Sequence, residues 1–313
     1  MTAKVNNINL LFNKLYYDAL DPQNPEKFEK KANEMNWKIF NQTFKPADFS
    51  GCKELEEFYG ESFKKFRLKT DYPGLLIGTG NPHGSGLTTS DINCGFSFSY
   101  VTGQPYIPAS SVKGILRSSF KARRPAVIDF LEEILNLTER PTEDVVQELE
   151  TAIFEGDDIF LDGVLVNGAA ASGKFLGADY ITPHYPLDKD LLKNPNPIHI
   201  LKVLPDVTLE FRFILHSATL SSGLHISAND KEALFSKLLC YFGIGAKTNV
   251  GYGILLPIIE SNAPTRTAVP QNVPPGFCPY CGVNKLEHDP IRQRLQRCCS
   301  ECYKKGVLNT HRR

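Results

Sequence analysis

The chain has 313 residues, 35 Lys plus Arg against 35 Asp plus Glu, and 42% hydrophobic residues. This length suits one large domain or two smaller ones, the near-average composition excludes intrinsic disorder, and the zero net charge excludes a wholly basic nucleic-acid sleeve. Because no apolar run reaches about 18 residues and the start MTAKVNNINLLFNK lacks a secretory cleavage site, we expect a soluble, cytoplasmic protein.

The first part of the chain, residues 1–66, has the polar composition and apolar spacing of helices. Three helical segments are predicted, near 5–20, 26–43 and 53–66. From Phe66 the pattern changes to two short strands, FRLKT and PGLLIG, which lead into the Gly-rich loop GTGNPHGSG. We therefore expect a helical N-terminal region followed by a core over 67–260.

A helix with a clear start follows YIP, because Ser110 or Ser111 can accept a hydrogen bond from its first turn. Its buried stripe is predicted to consist of Val112, Ile115, Leu116 and Phe120. A row of bases recurs every four residues on another face, namely Lys113, Arg117 and Lys121. Such a row is either a solvated surface or a salt-sensitive contact for a phosphate backbone.

The remaining elements alternate between helices and strands. Helices near 126–137 and 142–154 form an insertion of about 126–154, and DIFLDGVLVNG is either a strand pair or one bulged strand. A polar stretch, 168–198, separates it from LPDVTLEFRFILHS, whose alternation buries Val207, Leu209, Phe211, Phe213 and Leu215. A helix near 229–242, started by Asn229 and stopped by Gly243, precedes the strand GILLPII.

This order of elements predicts the fold class: an α+β, ferredoxin-like (RRM-like) core. Its sheet is expected to be covered by helices on one face and exposed on the other. The last helix and strand are joined by GIGAKT, Gly243 to Thr248, which lacks the spacing and the element order of a P-loop. Its glycines and Lys247 can bind phosphate through backbone N–H groups and charge, or they can simply form a helix cap and a turn.

Catalytic candidates are scattered along the sequence. His83 and Asp91 lie in Gly-rich or polar loops, and Asp157, Asp158 and Asp162 could hold a hard cation or merely cap turns and strand ends. We recognise no catalytic motif and therefore predict that the chain is not an enzyme.

The C-terminal tail carries a cysteine pattern, C-x2-C and C-x2-C separated by seventeen residues. This spacing predicts a structural zinc ribbon over 276–313, after a linker at 261–275. The alternative is a tail with free thiols or disulfides. The predicted zinc ligands are Cys278, Cys281, Cys299 and Cys302.

Three segments together resemble the RAMP superfamily of CRISPR effector proteins: YIPASSVKGILRSSF, ADYITPHYP and GIGAKTNVGYG. The first is similar to the family's IPGSSLKGVLR helix start, with Ala109 in place of the usual Gly. The second is typical of the sixth-subunit family of the type III-B (Cmr) complex. The resemblance covers about 67–260, and the zinc-ribbon tail departs from it.

The resemblance implies a non-catalytic subunit of an antiviral interference complex that caps the backbone near the 3′ end of the CRISPR guide RNA. A thumb-like loop, about 166–200, would contact the guide–target duplex, where His184 and Tyr185 either stack on a base or fix the root of the thumb. Implied partners are guide RNA, target RNA and other Cmr subunits. Implied RNA-binding residues are Lys113, Arg117, Gly245, Ala246, Lys247 and Thr248.

Two other functions remain open from the sequence. One is a RAMP-superfamily endoribonuclease that processes guide precursors, with His83 as its base. The other is a zinc-ribbon nucleic-acid-binding adaptor. Asp91 lies in a loop comparable to that of the cleaving aspartate in backbone subunits, but no motif assigns it that role.

Overall fold

The structure is a computed structural model. It describes residues 7–258 except 19, 46–49, 87, 89, 170 and 183–196, together with the pairs 288–289 and 294–295. The chain divides into two compact units, Met1–Leu256 and Pro257–Arg313. Within the described part of the chain, no helix has both the length and the apolar character needed to cross a membrane.

Seven α-helices are found among the described residues. In chain order they are α1 (Ile8–Leu10), α2 (Pro25–Phe40), α3 (Ser50–Tyr59), α4 (Ala109–Ala122), α5 (Arg124–Leu135), α6 (Glu143–Phe154) and α7 (Ala228–Phe242). A π-helical turn at Leu11–Leu15 continues α1, and 3-10 turns lie at Gly60–Ser62 and Thr248–Val250. The two helices predicted near 126–137 and 142–154 are confirmed as α5 and α6.

The strands are short, except for the two at the centre of the main sheet. In chain order they are β1 (Phe63–Thr70), β2 (Tyr106–Ile107), β3 (Ile159–Phe160), β4 (Gly163–Asn167), β5 (Leu176–Ile181), β6 (Ile198–Val203), β7 (Thr208–Ile214), β8 (Ala218–Thr219), β9 (His225–Ile226), β10 (Leu255–Pro257), β11 (His288–Asp289) and β12 (Arg294–Leu295). In the second unit, β11 pairs with β12 in antiparallel register.

The main sheet has six strands in the order β10-β1-β7-β4-β2, and β3 also pairs with β7. Both β1 and β4 run antiparallel to β7. Because β3 and β4 pair with successive parts of β7, the segment DIFLDGVLVNG is one interrupted strand. Its register shifts between Leu165 and Asn167, which confirms the bulged-strand alternative. The α+β class is therefore confirmed.

One side of the sheet is the hydrophobic core. The alternating residues predicted in β7 and at its ends are all 0% exposed, namely Val207, Leu209, Phe211, Phe213 and Leu215. Helix α7 covers this side, since the Phe213 and Phe235 rings lie 5.3 Å apart. On the other side, Arg67 and Arg212 both pair with Glu210, and Lys69 pairs with Asp206. The sheet thus has an apolar face covered by α7 and a second face that carries paired charges.

The predicted capping residues of two helices, α4 and α7, were wrong. Helix α4 begins after Pro108, whereas Ser110 and Ser111 make no capping bond. Instead, the Ala109 N–H donates to Asp162 Oδ1 at 2.7 Å, across more than fifty residues of sequence. Helix α7 is capped by Ser227 in a reciprocal pair with Asp230, and Ser227 lies two residues before the predicted start at Asn229.

Two other predicted segments differ in kind. The helical segment predicted to reach residue 66 ends at Tyr59, and β1 already begins at Phe63. The segment PGLLIG forms only an isolated bridge, between Leu75 and Val203. Conversely, β5 lies within the polar stretch 168–198 that was predicted to be loop, and it pairs in antiparallel register with β6, which begins where that stretch ends.

Candidate functional site

An open groove of about 520 Å³ lies where three segments of the core meet. These are the Gly-rich loop after β1, the exposed face of α4, and the loop after α7. Residues that line it include Leu76, Ile77, Gly78, Thr79, Gly80, Ser97, Ile107, Pro108, Ser111, Gly114, Ile115, Ser118, Ile244, Gly245 and Ala246. Two of the predicted RNA-binding residues, Gly245 and Ala246, therefore belong to one concave surface.

The α4 wall of the groove is built from small side chains. Ser111, Gly114 and Ser118 are spaced by three and four residues, so they share one face, and all three are exposed. A Cβ added at Gly114 would meet no heavy atom within 4 Å. A ligand backbone can therefore approach this helix closely.

The loop after α7 is held in a conformation that requires glycine. Gly245 has φ +89°, and a Cβ there would lie 2.3 Å from the carbonyl oxygen of Leu76. The Ala246 N–H donates to the same oxygen at 2.9 Å, while the Ile244 N–H donates to the Gly253 carbonyl at 2.9 Å. The loop is thus fixed to the strand-like segment after β1 before any ligand binds.

The exposed part of this loop presents hydrogen-bond donors. Lys247 is exposed and adopts a left-handed conformation with φ 58°. It precedes the 3-10 turn at Thr248–Val250, and the backbone N–H groups of Lys247, Thr248 and Asn249 donate to no acceptor among the described residues. Consecutive free N–H groups beside a cation can bind an anion such as phosphate.

The basic row of α4 does not line the groove. Arg117 pairs with Glu150 at 3.4 Å and with Glu155, so it faces α6. Lys121 lies 3.9 Å from the Glu150 carboxylate, and the Lys113 ammonium lies 5.5 Å from the centre of the Phe160 ring. In this structure the cations of the row are therefore engaged by acids and an aromatic ring of the same chain.

The β5–β6 hairpin lies beside the loop after α7. Leu76, Ile200 and Tyr252 form a small buried cluster, against which Ala246 and Ile198 pack. The Tyr252 hydroxyl donates to Asp179 Oδ2 at 2.8 Å, and Lys202 Nζ lies 2.6 Å from the same oxygen. The groove and the root of the predicted thumb thus share a core. His184 and Tyr185, which follow β5 in the sequence, lie outside the described residues.

The hydrogen bond between Tyr252 and Asp179 affects the pKa of both side chains. Burial by itself raises the pKa of Asp179, but the hydrogen bonds from Lys202 and Tyr252 lower it by a larger amount. The net pKa is therefore below its ordinary value. Burial and the bond to Asp179 raise the pKa of Tyr252. The pair is therefore a neutral hydroxyl donating to a charged carboxylate.

The catalytic candidates lie in the interior. His83 is 8% exposed, and its two ring nitrogens contact the carbonyl oxygens of Ile92 at 2.6 Å and Phe12 at 3.0 Å. Asp91 is 0% exposed and accepts hydrogen bonds from the backbone N–H and the hydroxyl of Ser85. Both side chains are used to shape the loop that follows β1.

Two of the three acidic candidates after α6 have structural partners. Asp158 pairs with the buried Lys231 at 2.5 Å, and Asp162 caps α4. In the part of the chain that the structure describes, no group of three or more His, Cys, Asp or Glu could hold a metal ion. The predicted zinc ligands fall outside the described residues, since none of Cys278, Cys281, Cys299 and Cys302 is among them.

Comparison with protein families identifies the core. The model of the RAMP superfamily matches residues 67–255, which is more than half of the chain. The chain belongs to the RAMP superfamily. The matched range contains the loop after β1, the α4 wall and the loop after α7, so all three sides of the groove belong to the RAMP region.

One curated relative and two solved structures are similar to this RAMP protein. The chain is 28% identical to CRISPR system CMR subunit Cmr6 of Saccharolobus solfataricus over 221 residues, which are 70% of this chain and 66% of that protein. Among solved structures, it is similar to a chain of the Type III-B Cmr-beta complex bound to cognate target RNA, with a TM-score of 0.46, 23% identity, and coverage of 80% and 81% of the two chains. For Cmr6 from Pyrococcus furiosus the TM-score is 0.38 at 20% identity, with 63% of this chain and 98% of that chain covered.

The small-residue wall of the groove was not predicted from the sequence. The predicted RNA-binding residues of α4 were its cations, whereas the groove is lined by Ser111, Gly114 and Ser118 on a different face. An exposed glycine in the middle of a helix costs stability relative to alanine, so Gly114 was the signal that this face needs room.

Proposed function

We propose that this protein is a non-catalytic CRISPR guide-binding subunit of a type III-B (Cmr) antiviral interference complex in the cytoplasm. In this proposal it caps the backbone of the complex near the 3′ end of the guide and contacts the guide–target duplex. The observation that carries the proposal is the open groove at Gly245 and Ala246, whose loop offers free N–H groups and Lys247 to a phosphate backbone. Membership of the RAMP superfamily and the similarity to Cmr6 support it.

We also propose that the core is ferredoxin-like. Its main elements follow one another as β1, α4, β4, β7, α7 and β10, and the corresponding strands lie in the order β10-β1-β7-β4. This is the arrangement of the split β-α-β fold, extended here by β2 at one edge. The groove lies at the ends of these elements, whereas the open sheet face carries paired charges.

Within the groove, the guide's phosphates bind to Gly245, Ala246, Lys247 and Thr248, and its backbone runs along the α4 wall. Each neutralised phosphate releases counterions, so this binding weakens as salt increases. The proposed contacts of Lys113 and Arg117 require these side chains to exchange Phe160 and the carboxylates of α6 for phosphate. His184 and Tyr185 act at the thumb, on the guide–target duplex.

The test measures guide RNA affinity of the purified protein over a range of salt concentrations. Lys247→Ala reduces the slope of log K against log salt by about 0.7, the value for one phosphate contact on a single strand. Lys69→Ala is the matched control, because Lys69 pairs with Asp206 on the open face of the sheet. An unchanged slope in the Lys247 variant, or an equal loss in the control, would contradict the proposed groove.

Arg117→Ala tests whether the α4 cations bind the guide or only join α4 to α6. If Arg117 binds phosphate, this variant also reduces the salt slope. If it serves only to join α4 to α6, the variant lowers thermal stability and leaves the slope unchanged.

The ribonuclease alternative has a direct assay. It requires His83 to reach RNA, yet both ring nitrogens contact interior carbonyl groups. We therefore expect no cleavage of repeat RNA by the purified protein. Cleavage that His83→Ala abolishes would replace the proposed function with guide processing.

For the tail, we propose a structural zinc ion held by Cys278, Cys281, Cys299 and Cys302. The support is the spacing of the two C-x2-C pairs, which places four thiolates around one ion. Elemental analysis of the full chain should give about one zinc per chain, and Cys281→Ser with Cys299→Ser should remove it. If deletion of 276–313 abolishes guide binding while the core stays folded, the result would favour the alternative function, a zinc-ribbon nucleic-acid-binding adaptor.

A further inference from the structure

A second cavity, of about 350 Å³, lies at the β2–β4 edge of the sheet. We call it the tyrosine pocket. Its lining residues are Ser99, Tyr100, Thr102, Gln104, Pro105, Tyr106, Asp162 and Val164. It shares no lining residue with the groove described above, so it needs an explanation of its own.

The loop over this pocket is held in place by hydrogen bonds at both of its ends. The Ser99 N–H donates to the Gln104 carbonyl at 2.8 Å, and the Gly103 N–H donates to the Ser99 carbonyl at 2.9 Å. The Asn7 side chain donates to the Tyr100 carbonyl at 3.3 Å. Gly103, with φ +69°, packs so closely on Asn7 that a Cβ would lie 2.5 Å from its side-chain oxygen.

This ordered loop exposes two large apolar side chains. Tyr100 is 88% exposed and Val101 is 86% exposed, which are the two highest values among the large hydrophobic residues of the described chain. Because the backbone of this loop is fixed by hydrogen bonds before binding, a partner that covers it loses little affinity to backbone ordering. Tyrosine is also among the residues that contribute most to protein interfaces.

The charge of the pocket selects the partner. No Lys, Arg or His is among its lining residues. Asp162 uses Oδ1 to cap Ala109, and its exposed carboxylate forms no ion pair with any described residue. A phosphate would be repelled here, whereas a cation would be attracted to the carboxylate and to the tyrosine rings of Tyr100 and Tyr106 that line the pocket.

We propose that the tyrosine pocket binds an arginine side chain of another protein chain, with Val101 contacting the apolar residues beside that arginine. A guanidinium suits the site better than an ammonium, because it is planar, stacks on aromatic rings and donates two parallel hydrogen bonds to a carboxylate. This site is independent of the proposed RNA groove.

The test uses the full-length protein and short peptides followed by amide NMR shifts. The probe is the acetylated, amidated tripeptide Gly-Arg-Gly, and the matched control replaces arginine with citrulline, which has the same shape without the charge. We expect the arginine peptide to shift the signals of residues 99–106 and 162–164. Citrulline should bind at least about three-fold more weakly, the size expected for loss of an exposed cation–π contact.

Two variants locate the binding. Asp162→Asn keeps an oxygen for the Ala109 N–H and removes the charge, and Tyr100→Ala removes an exposed ring without touching the core. Each should weaken the arginine peptide by about three-fold or more while the melting temperature stays unchanged. Equal binding of citrulline and arginine would overturn the proposal. So would stronger shifts of the same signals by adenosine monophosphate, or a concentration-dependent dimer that Tyr100→Ala abolishes, which would identify a nucleotide or a second copy as the occupant.

Discussion

Gly114→Leu separates stability from binding at the wall of the groove. Gly114 is exposed in the middle of α4, and a Cβ there meets no heavy atom within 4 Å. Glycine is about 0.8–1 kcal/mol less favourable than alanine in a helix, and leucine is close to alanine. The substitution should therefore raise the free energy of unfolding by nearly that amount, and Tm by about 2–4 °C for a unit of this size.

The same substitution should impair guide binding. It places a leucine side chain in the groove of about 520 Å³, beside Ser111 and Ser118. We expect the Kd for guide RNA to rise about ten-fold, equivalent to about 1.4 kcal/mol. Fluorescence anisotropy at one fixed salt concentration measures the change. Gly114→Ala is the control, because it gives the same gain in helix stability with a single added carbon.

Two results for Gly114→Leu would contradict this prediction. Unchanged affinity of a well-folded Gly114→Leu variant would mean that the guide does not lie along α4. A lower melting temperature would mean that this face is packed against something and is not an open wall.

Three further predictions address the loop after α7, the main sheet and the half-buried thiol of Cys240. Gly245→Ala should destabilise the protein by about 1–3 kcal/mol, because alanine is strained at this left-handed position and its Cβ would collide with the Leu76 carbonyl; thermal melting checks this. Burial by itself raises the pKa of Glu210, but the hydrogen bonds and charges of Arg67 and Arg212 bring the net pKa below its ordinary value of 4.5. The carboxylate therefore stabilises the fold fully above that pH, and the difference in Tm between wild type and Glu210→Gln should shrink as the pH falls below it. Burial raises the pKa of the Cys240 thiol to about 12, so iodoacetamide at pH 8 should alkylate it only after unfolding.

Each of these has an opposing result. A Gly245→Ala protein as stable as wild type would mean that the loop relaxes away from Leu76. A difference in Tm for Glu210→Gln that does not shrink at all as the pH falls below 4.5 would show that packing, and not charge, is lost. Rapid alkylation of Cys240 in the folded protein would show that α7 opens there.

The parts of the fold that were predictable depend on local patterns. The alternation of apolar residues in β7 predicts which of its side chains face the core. Gly243, with its left-handed φ of 76°, ends α7 as the sequence indicates. The cap of α4 was not predictable, since its acceptor is Asp162 from another part of the chain. The β5–β6 hairpin was missed because its strands are stabilised by each other and by Leu76 and Tyr252, and not by a regular pattern of their own.

The candidate site was predictable in part for the same reason. Glycine requirements are local, so the loop around Gly245 was identified from its sequence. The surroundings of a row of cations depend on tertiary packing. The spacing of Lys113 and Arg117 shows that they share a face of α4, but only the packed structure shows that this face meets α6.

The most direct test of the central claim is photo-crosslinking of 4-thiouridine-substituted guide RNA to the purified full-length protein, with the crosslinked peptides identified by mass spectrometry. We predict crosslinks in residues 76–80, 111–118 and 244–249, which form the groove. Crosslinks confined to the open sheet face around Arg67 and Tyr106 would contradict the account.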